Sequence, residues 1–464
     1  MEEIFDKIIE KGFQLGAEYV DIRYQEVKSE IIVSENGKFT RYESESALGV
    51  GITAIVDGIP GFASTTIINS DTLLGVLNEA VKIAKTSIKL VNKKVYAEIE
   101  PCADKKEISV KADPFEIPPD EKVNFVVDVN RKAIVSDEIK NVSTILGIEE
   151  DRRWFLSSEG ANIKTKVVLT GLRHHSVAQV NGVMEQVRDA ETFVGGYEFF
   201  KEFDAEKFVI DLSMLAIDAA KAKSAKPGTY PIVADPDIIG LILHEAFGHA
   251  SEGDLVSSKE SILCGKLGEK VASEYVTIVD NGLVEGGYPV WYDDQGVRKM
   301  KTVIVKDGVL DGYLLSRETA SNLGLEPTGN ARAQDFENVP IVRQTNYYME
   351  PRDYSFEELV EDVDLGYYIR GKGGGGGQVD VGVGSFVFNA GPSYVIEKGE
   401  VKELVKPVSI SGLILETLKS VDAVGKDFKV FTSVFGGCGK SAQRVRVGLG
   451  GPFVRIRKMI IGGR

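Results

Sequence analysis

The sequence predicts an α+β fold, with two mixed helix-and-strand units followed by a mainly antiparallel β domain built around one helix. Strand patterns cluster along the chain instead of alternating with helices, which argues against a doubly wound sheet. Asn-Gly and Asp-Gly pairs, which favour tight hairpin turns, separate several of the strand patterns. A chain of 464 residues is also long enough for two or three domains with sizeable cores.

The first unit, residues 1–100, is predicted to open with an amphipathic helix whose apolar side chains recur at helical spacing as far as Phe13. Strands are expected over residues 19–64, with hairpin turns at Asn36-Gly37 and Asp57-Gly58. A second helix then leads into a polar connector. The pattern indicates a small helix–strand–helix unit.

The second unit, residues 115–225, repeats this plan. A helix is predicted to about Val135, strands over residues 142–200, and a closing helix over residues 204–223. The repeated order of elements suggests an internal duplication of the first unit.

The third part, residues 226–464, begins at Lys226-Pro227-Gly228. A short apolar strand over residues 230–234 leads to Asp235, which is followed by proline and is therefore a good N-cap for a helix. That helix is apolar nearly all round and is expected to be buried. Strand and turn signals dominate the remainder, so we expect a curved, mainly antiparallel sheet or barrel wrapped around the helix.

The end of this helix carries the motif His244-Glu245-Ala246-Phe247-Gly248-His249, which contains two of the four histidines in the chain. Two imidazoles and a carboxylate are what a hydrolytic metal site needs, as ligands and base. Side chains five positions apart in a regular helix point roughly 140° apart. The helix must therefore end or widen into a π-turn between the rings, and Gly248 is suited to permit this. The alternative is a core helix with two hydrogen-bonded histidines.

The other histidines, His174 and His175, lie in a polar strand-like segment and are predicted to be surface residues.

Cys438 is the candidate for a third ligand because glycine flanks it on both sides, which allows positive φ and a close approach to a crowded site. Cys102 and Cys264 lack such a setting. An unliganded thiol remains the alternative at this stage. The neighbouring Gly439-Lys440-Ser441 resembles the end of a phosphate-binding loop, but Val434 stands where the first glycine should be, and a strand pattern follows instead of a helix. A nucleotide site is therefore not expected.

Charge and hydropathy exclude several classes of protein. A net charge of −15 argues against nucleic-acid partners and repels acidic peptides at low salt. No apolar run of about 18 residues occurs, so no membrane span is expected. The charged start and three widely spaced cysteines favour reduced thiols in the cytoplasm.

Two further segments are candidates for substrate contact. The run Gly373–Gly377 continues into a strand pattern at Gln378, so it is either a flexible loop or an edge along which an extended backbone can pair. Asn330 and Arg332 lie in a predicted loop after Thr328-Gly329, where such residues often form turns.

The motif from His244 to Asp254 resembles the TldD/PmbA family of metallopeptidases, and so do Glu45–Gly51, Pro327–Arg332, Gly375–Asp380 and Phe435–Lys440, so the resemblance covers nearly the whole chain. The resemblance implies one divalent metal held by His244, His249 and Cys438, and Glu245 as the catalytic carboxylate.

A borderline donor set of two nitrogens and one sulfur suits zinc, with Fe²⁺ left open. The retained metal motif implies the TldD-type subunit, whose family members act on unfolded or small peptides and in some bacteria trim a leader peptide. It also implies a TldE/PmbA-like partner in a heterodimer, with a homodimer left open. Glycines Gly375, Gly376 and Gly377 with Gln378 would then form a substrate edge, and Asn330 and Arg332 would lie near the cleft.

Two other functions remain open from the sequence. One is a peptide-binding or scaffolding subunit with a vestigial metal. The other is a metal-dependent hydrolase of non-peptide amides or esters, since two histidines, a cysteine and a glutamate do not dictate the bond that is cleaved.

Overall fold

The structure, a computed structural model, describes residues 1–87 and 95–463. Most of its strands form two large sheets, one of seven strands in the N-terminal half and one of eleven in the C-terminal half, with helices packed against them. The predicted α+β class is confirmed. No helix within the described ranges is long and apolar enough to cross a membrane.

The first unit has the predicted order of helix, three antiparallel strands and helix. Its two hairpin turns carry positive φ at Asn36 and Asp57, each followed by glycine, as tight turns require. The elements are α1 (Glu2–Gln14), β1 (Tyr19–Glu35), β2 (Lys38–Val56), β3 (Ile59–Thr65) and α2 (Ser70–Ser87).

The second unit repeats that order, with one extra strand before it and one short helix within it. The elements are β4 (Ala103–Glu107), α3 (Pro119–Lys132), β5 (Ile139–Ser157), β6 (Asn162–Val180), β7 (Val183–Val194), α4 (Phe199–Glu202) and α5 (Ala205–Lys221).

The two units share one sheet. β1 and β5 pair antiparallel, from Asp21 opposite Ser157 to Glu35 opposite Ser143. The strand order β3-β2-β1-β5-β6-β7 is therefore symmetric about this central pair, and β4 joins the far end of β6. This symmetry fits the repeated plan that the sequence indicates. The division at residues 100–115 separates units of one continuous sheet, and the boundaries themselves remain a proposal.

The prediction that His174 is a surface residue is wrong. Its side chain is fully buried, because strand alternation turns it toward the core formed with α5. Its ring nitrogens lie 2.8 Å from Thr144 Oγ1 and 2.8 Å from Ser176 Oγ. His175, on the opposite face, is partly exposed and contacts Gln186 across the strand pair.

The C-terminal half contains many short strands and helices. Its elements up to the glycine run are β8 (Gly228–Ala234), α6 (Pro236–Ile242), a π-helix (Leu243–Gly248), a 3₁₀ turn (His249–Ser251), α7 (Gly253–Ser257), β9 (Ile278–Asp280), β10 (Thr302–Lys306), β11 (Val309–Leu310), α8 (Arg317–Leu323), β12 (Ala331–Arg332), β13 (Ile341–Val342), β14 (Asn346–Met349), α9 (Phe356–Glu361) and β15 (Leu365–Ile369). The remaining elements are β16 (Gly377–Asp380), β17 (Ser385–Glu397), β18 (Glu400–Leu413), α10 (Ile414–Lys419), β19 (Val421–Thr432), β20 (Cys438–Lys440), β21 (Gln443–Val445) and β22 (Gly448–Gly463).

The large C-terminal sheet curls back on itself. Its order runs β22-β18-β17-β15-β8, and β8 also pairs with β22, so these five strands close a ring. Their inward side chains form one hydrophobic core with α6, which contributes Ile238, Ile239 and Ile242. Most strand pairs are antiparallel, with β14–β22 and β15–β8 parallel. The predicted curved sheet around a buried helix is confirmed.

Candidate metal centre

A change of helix type brings the two histidines together. The Asp235 carboxylate accepts the Ile238 N–H at 2.9 Å and starts α6, which then widens into the π-helix that contains His244. Residues five apart lie on one face of such a wider turn. The ring centroids of His244 and His249 are accordingly 5.3 Å apart. The predicted break between the two rings is confirmed.

The hairpin of β20 and β21 brings Cys438 to these rings from 189 residues further along the chain. Its Sγ lies 3.1 Å from His249 Nε2. One ligand atom from each of His244, His249 and Cys438 lies within 4.8 Å of the others, and all three side chains are largely shielded from solvent.

The flanking glycines act differently from the prediction. Gly437 and Gly439 do not have positive φ, which falls instead on Ser441 and Ala442 at the hairpin turn. A Cβ at Gly437 would overlap the Val445 carbonyl oxygen, so that glycine permits close strand pairing. A Cβ at Gly439 would meet nothing within 4 Å.

The donor set fits a divalent metal. Nδ1 of His244 is buried and, within the part of the chain that the structure describes, makes no hydrogen bond. Burial alone raises the pKa of the Cys438 thiol, but the nearby His244 and His249 outweigh it and lower that pKa to about 5. A thiolate beside two imidazoles is a soft-to-borderline site suited to zinc.

A buried carboxylate orients His249. Glu252 is fully buried, and its Oε2 lies 3.1 Å from His249 Nδ1. A proton held on Nδ1 by this carboxylate leaves the Nε2 lone pair directed toward Cys438. Lys440 donates from Nζ to the same Oε2 at 2.7 Å and to Asp254 at 2.7 and 2.8 Å. Burial raises the pKa of Glu252, but His249 and Lys440 outweigh it and lower that pKa, so Glu252 is held ionised.

Two adjacent buried side chains hold the two ligand-bearing segments. Arg343 donates to the Cys438 carbonyl oxygen at 2.5 Å, and Gln344 donates from Nε2 to the His244 carbonyl oxygen at 3.0 Å. A Cβ at Gly248 would overlap Gln344 Oε1. Gly248 is therefore needed for the close approach of this side chain, and its φ of −61° requires no glycine.

Glu245 lies beside the cluster and remains accessible. Its Oε2 is 3.9 Å from His249 Nε2, and its side chain is 36% exposed, whereas that of Glu252 is completely buried. The two carboxylates therefore differ in environment: one can meet a water or substrate, and the other can only support a ligand.

Asn330 and Arg332, the two loop residues that the sequence predicted as substrate contacts, are both buried. Asn330 is fully buried; its Nδ2 donates to Asp280 and to the Arg343 carbonyl at 2.8 Å each, and its Oδ1 accepts from Lys299 and Thr328. The geometry thus corrects the expectation for Asn330, which braces the loop beneath the site.

Arg332 is also largely buried, and its Nη1 donates to the Gln344 carbonyl at 2.8 Å. It nevertheless lines a cavity of about 780 Å³ between the N-terminal sheet and the C-terminal domain.

The glycine run continues a strand. Gly375 N–H donates to the Asn389 carbonyl at 2.9 Å, Asn389 N–H donates to the Gly376 carbonyl, and Gly377–Asp380 then pairs with β17. Within the described ranges β17 is the one strand paired with β16, which leaves the other edge of β16 free. β16 also packs near the π-helix that carries His244.

Sequence reasoning did not single out Glu252, Lys440, Arg343 or Gln344. Glu252 and Lys440 lie within the motifs that contain the candidate ligands. Their charged side chains, so close in sequence to those ligands, could have identified them as supporting residues. Arg343 and Gln344 offered none, because their partners lie 95 and 100 residues away.

Comparison with known proteins identifies the family to which the chain belongs. Residues 20–84, 112–224 and 227–463 match, respectively, domain 1, the central domain and the C-terminal domain of the PmbA/TldA metallopeptidases. A metalloprotease of Methanothermobacter thermautotrophicus is 40% identical over 446 residues, 96% of each chain. A zinc metalloprotease TldD homolog of Saccharolobus solfataricus is 30% identical over 98% of this chain and 99% of its own.

The fold agrees with a solved structure, TldE from Thermococcus kodakarensis, at a TM-score of 0.82 and 21% identity, covering 99% of this chain and all of that one. Fold, cluster and relatives together define a metallopeptidase. The chain belongs to the PmbA/TldD family and has its three-domain architecture.

Proposed function

We propose that this chain is a TldD-type subunit that hydrolyses bonds in unfolded or small peptides, leader segments included, with a divalent metal held by His244, His249 and Cys438. The observation that carries this proposal is the convergence of three ligand atoms within 4.8 Å from segments 189 residues apart. Zinc is the metal that the donor set favours, and Fe²⁺ is the alternative.

When bound, such a metal supplies a Lewis acid that acidifies water and polarises a carbonyl group. Glu245 is the general base: its carboxylate is accessible, lies next to a ligand in sequence and can hold a proton at Oε2 before passing it to the leaving amine. Glu252 has a different task, because its burial and its contact with His249 Nδ1 restrict it to orienting that ring.

The substrate is proposed to bind as an added strand. The edge of β16 that faces away from β17 has no paired strand in the described part of the chain, and it offers backbone groups to an extended peptide. Hydrogen bonds between backbones do not depend on the side chains of the peptide. This mode of binding therefore suits an enzyme that accepts unfolded segments of varied sequence. The proximity of β16 to the π-helix supports delivery of the paired backbone to the ligand cluster.

A TldE/PmbA-like chain is the proposed partner in a heterodimer, with a homodimer as the alternative. The support is the family assignment together with the fold shared with TldE from Thermococcus kodakarensis. Activity measured with and without a co-expressed TldE-like protein tests this part of the proposal.

The central experiment combines metal analysis with peptidase assays. Purified protein should contain about one equivalent of metal, cleave unfolded peptides, lose activity with a chelator and regain it with Zn²⁺. His244→Ala should lose both metal and activity. Stoichiometric metal without cleavage would favour the scaffolding function, whereas cleavage of small amides or esters but not of peptides would favour the alternative hydrolase.

A further inference from the structure

A polar cavity lies where the second unit meets the glycine run. It has a volume of about 430 Å³. One wall is formed by residues of β5, β6 and β7, and the other by Gly373–Gly375 with neighbouring parts of β17 and β18. We call this the arginine pocket, after Arg173 and Arg188, which line its sheet wall.

Strand register explains why the two arginines share one face of the sheet. Ser143, His175 and Arg188 stand opposite one another across the three strands, and Ile145 and Arg173 form the adjacent row. Arg173 and Arg188 are therefore diagonal neighbours with the same charge, an arrangement that costs free energy unless an anion balances it.

Nothing in the pocket balances that charge fully. Arg173 has no ion pair in the portion of the chain that is described; its guanidinium lies over the Phe435 ring, 5.0 Å from the centroid. Burial, and then the charges of Arg188 and Arg41, lower the pKa of Arg173. The carboxylate in the pocket, Glu185, pairs with Lys406 at 3.4 Å. The pocket thus has a local positive charge in a strongly acidic protein.

The pocket adjoins both the glycine run and the segment that leads to Cys438. Arg188 donates from Nε to the Gly374 carbonyl at 3.4 Å, and its own carbonyl accepts from Gly373 N–H. Ile145 and Arg173 also line the larger cavity of about 780 Å³, whose wall includes Phe435 and Gly436 in the segment leading to Cys438. A backbone that lies along the glycine run would pass beside the Arg188 guanidinium, and Arg173 lines the same pocket.

We propose that the arginine pocket binds a carboxylate of the peptide substrate, either an acidic side chain or the C-terminal carboxylate, and so gives the enzyme a preference for acidic peptides. This inference rests on the proposed peptidase function. Guanidinium forks match carboxylate geometry, and the partial burial of Arg173 strengthens its interaction with a carboxylate. The local charge thereby reverses the repulsion that the net charge of −15 would exert on acidic peptides.

Binding and cleavage of matched peptides test the inference on metal-loaded protein. The probes are fluorescein-labelled alanine–glycine peptides carrying two glutamates, two glutamines or two lysines, each with a free or amidated C-terminus. Fluorescence anisotropy should give the glutamate peptides a Kd about tenfold below that of the glutamine peptides. Arg173→Gln should abolish the difference while metal content stays constant.

The peptide termini distinguish the two sources of carboxylate. A preference that survives C-terminal amidation identifies acidic side chains, and one that disappears on amidation identifies the terminal carboxylate. Arg152→Gln is the matched control, because Arg152 lies on the same sheet, is paired with Glu150 and lines neither cavity. It should leave every Kd unchanged.

The outcomes separate this inference from the peptidase proposal. Equal affinities for glutamate and glutamine peptides, or an unchanged preference in Arg173→Gln, would overturn the inference even if cleavage is efficient. A charge preference that depends on Arg173, together with no cleavage of any peptide, would uphold the pocket and overturn the peptidase proposal.

Discussion

Glu252 Oε2 lies 3.1 Å from His249 Nδ1 and simultaneously accepts from Lys440 Nζ at 2.7 Å. This contact couples the two candidate ligand segments, because Lys440 follows Cys438 by two residues on the same strand. One buried carboxylate therefore orients the ring of one candidate ligand and anchors the hairpin that carries another.

Replacing Glu252 with glutamine should weaken zinc binding by roughly 10- to 100-fold, because the ring of His249 loses its charged orienting partner. Competition against a chromophoric chelator measures the affinity. Glu260→Gln, at an exposed position on the following loop, is the control and should bind zinc as wild type does. Equal affinity in Glu252→Gln would show that the contact has no part in metal binding.

Replacing Glu245 with glutamine should leave the bound metal in place and reduce kcat by at least about 100-fold, because the amide cannot accept a proton from water. Metal content by elemental analysis and turnover of an unfolded peptide are the two measurements. Wild-type turnover by a fully loaded Glu245→Gln protein would remove Glu245 from the mechanism.

Alanine at Gly248 should both destabilise the protein, by about 1–3 kcal/mol, and lower its metal content, because the new Cβ would overlap Gln344 Oε1 and push that side chain from the His244 carbonyl. Urea unfolding and metal analysis report the two effects. Gly439→Ala, equally close to the site but with open space at its Cβ, should show neither. A stable, metal-replete Gly248→Ala protein would contradict this account of the glycine.

A bulky side chain in place of Gly375 should raise KM for peptides and leave the metal content of the protein unchanged. A Cβ there would overlap the guanidinium of Arg188 and obstruct the backbone edge that the substrate is proposed to use. Steady-state kinetics of Gly375→Val provide the test, with Gly75→Ala, in open space on α2, as the control. An unchanged KM would place substrate binding elsewhere.

Acid should destabilise the second unit through His174. Burial, and to a lesser extent the charge of His175, lowers the pKa of His174 from about 6.5 to about 3. The folded protein thus binds fewer protons than the unfolded chain between these values, so this contribution is complete above pH 6.5 and is lost as pH falls toward 3. The loss is on the order of 5 kcal/mol.

Urea unfolding at several pH values between 4 and 7 should show a shallower pH dependence for His174→Asn than for the wild type. All other titrating groups are common to the two proteins, so the difference between the curves isolates this histidine. Parallel curves would mean that His174 is protonated without penalty in the folded protein.

Local patterns predicted the order of the elements, because hairpin turns, caps and helical spacing depend on near neighbours. The five-residue spacing of His244 and His249 predicted that the helix ends or widens between them, and the structure has the wider π-helix. The spacing of apolar residues did not predict which residues at the end of α1 are buried. Phe13 is half exposed, whereas Gly12 is buried against Val20. Packing partners distant in sequence decided that outcome.

The candidate ligands were predictable because they are rare residue types in unusual settings. The side chains that hold the ligand segments were not predictable. Arg343 and Gln344 donate hydrogen bonds to backbone carbonyl groups whose positions are defined only in the folded C-terminal domain. His174 was misjudged for a similar reason: its hydroxyl partners Thr144 and Ser176 satisfy a buried ring that its polar neighbours had marked as exposed.

The long separation between the histidine pair and Cys438 has a consequence during protein synthesis. During translation, His244 and His249 leave the ribosome well before Cys438 does. The cluster of three candidate ligands cannot form until Cys438 has been synthesised. On the proposed function, a chain whose C-terminal hairpin has not yet docked would have an incomplete metal site and no hydrolytic activity.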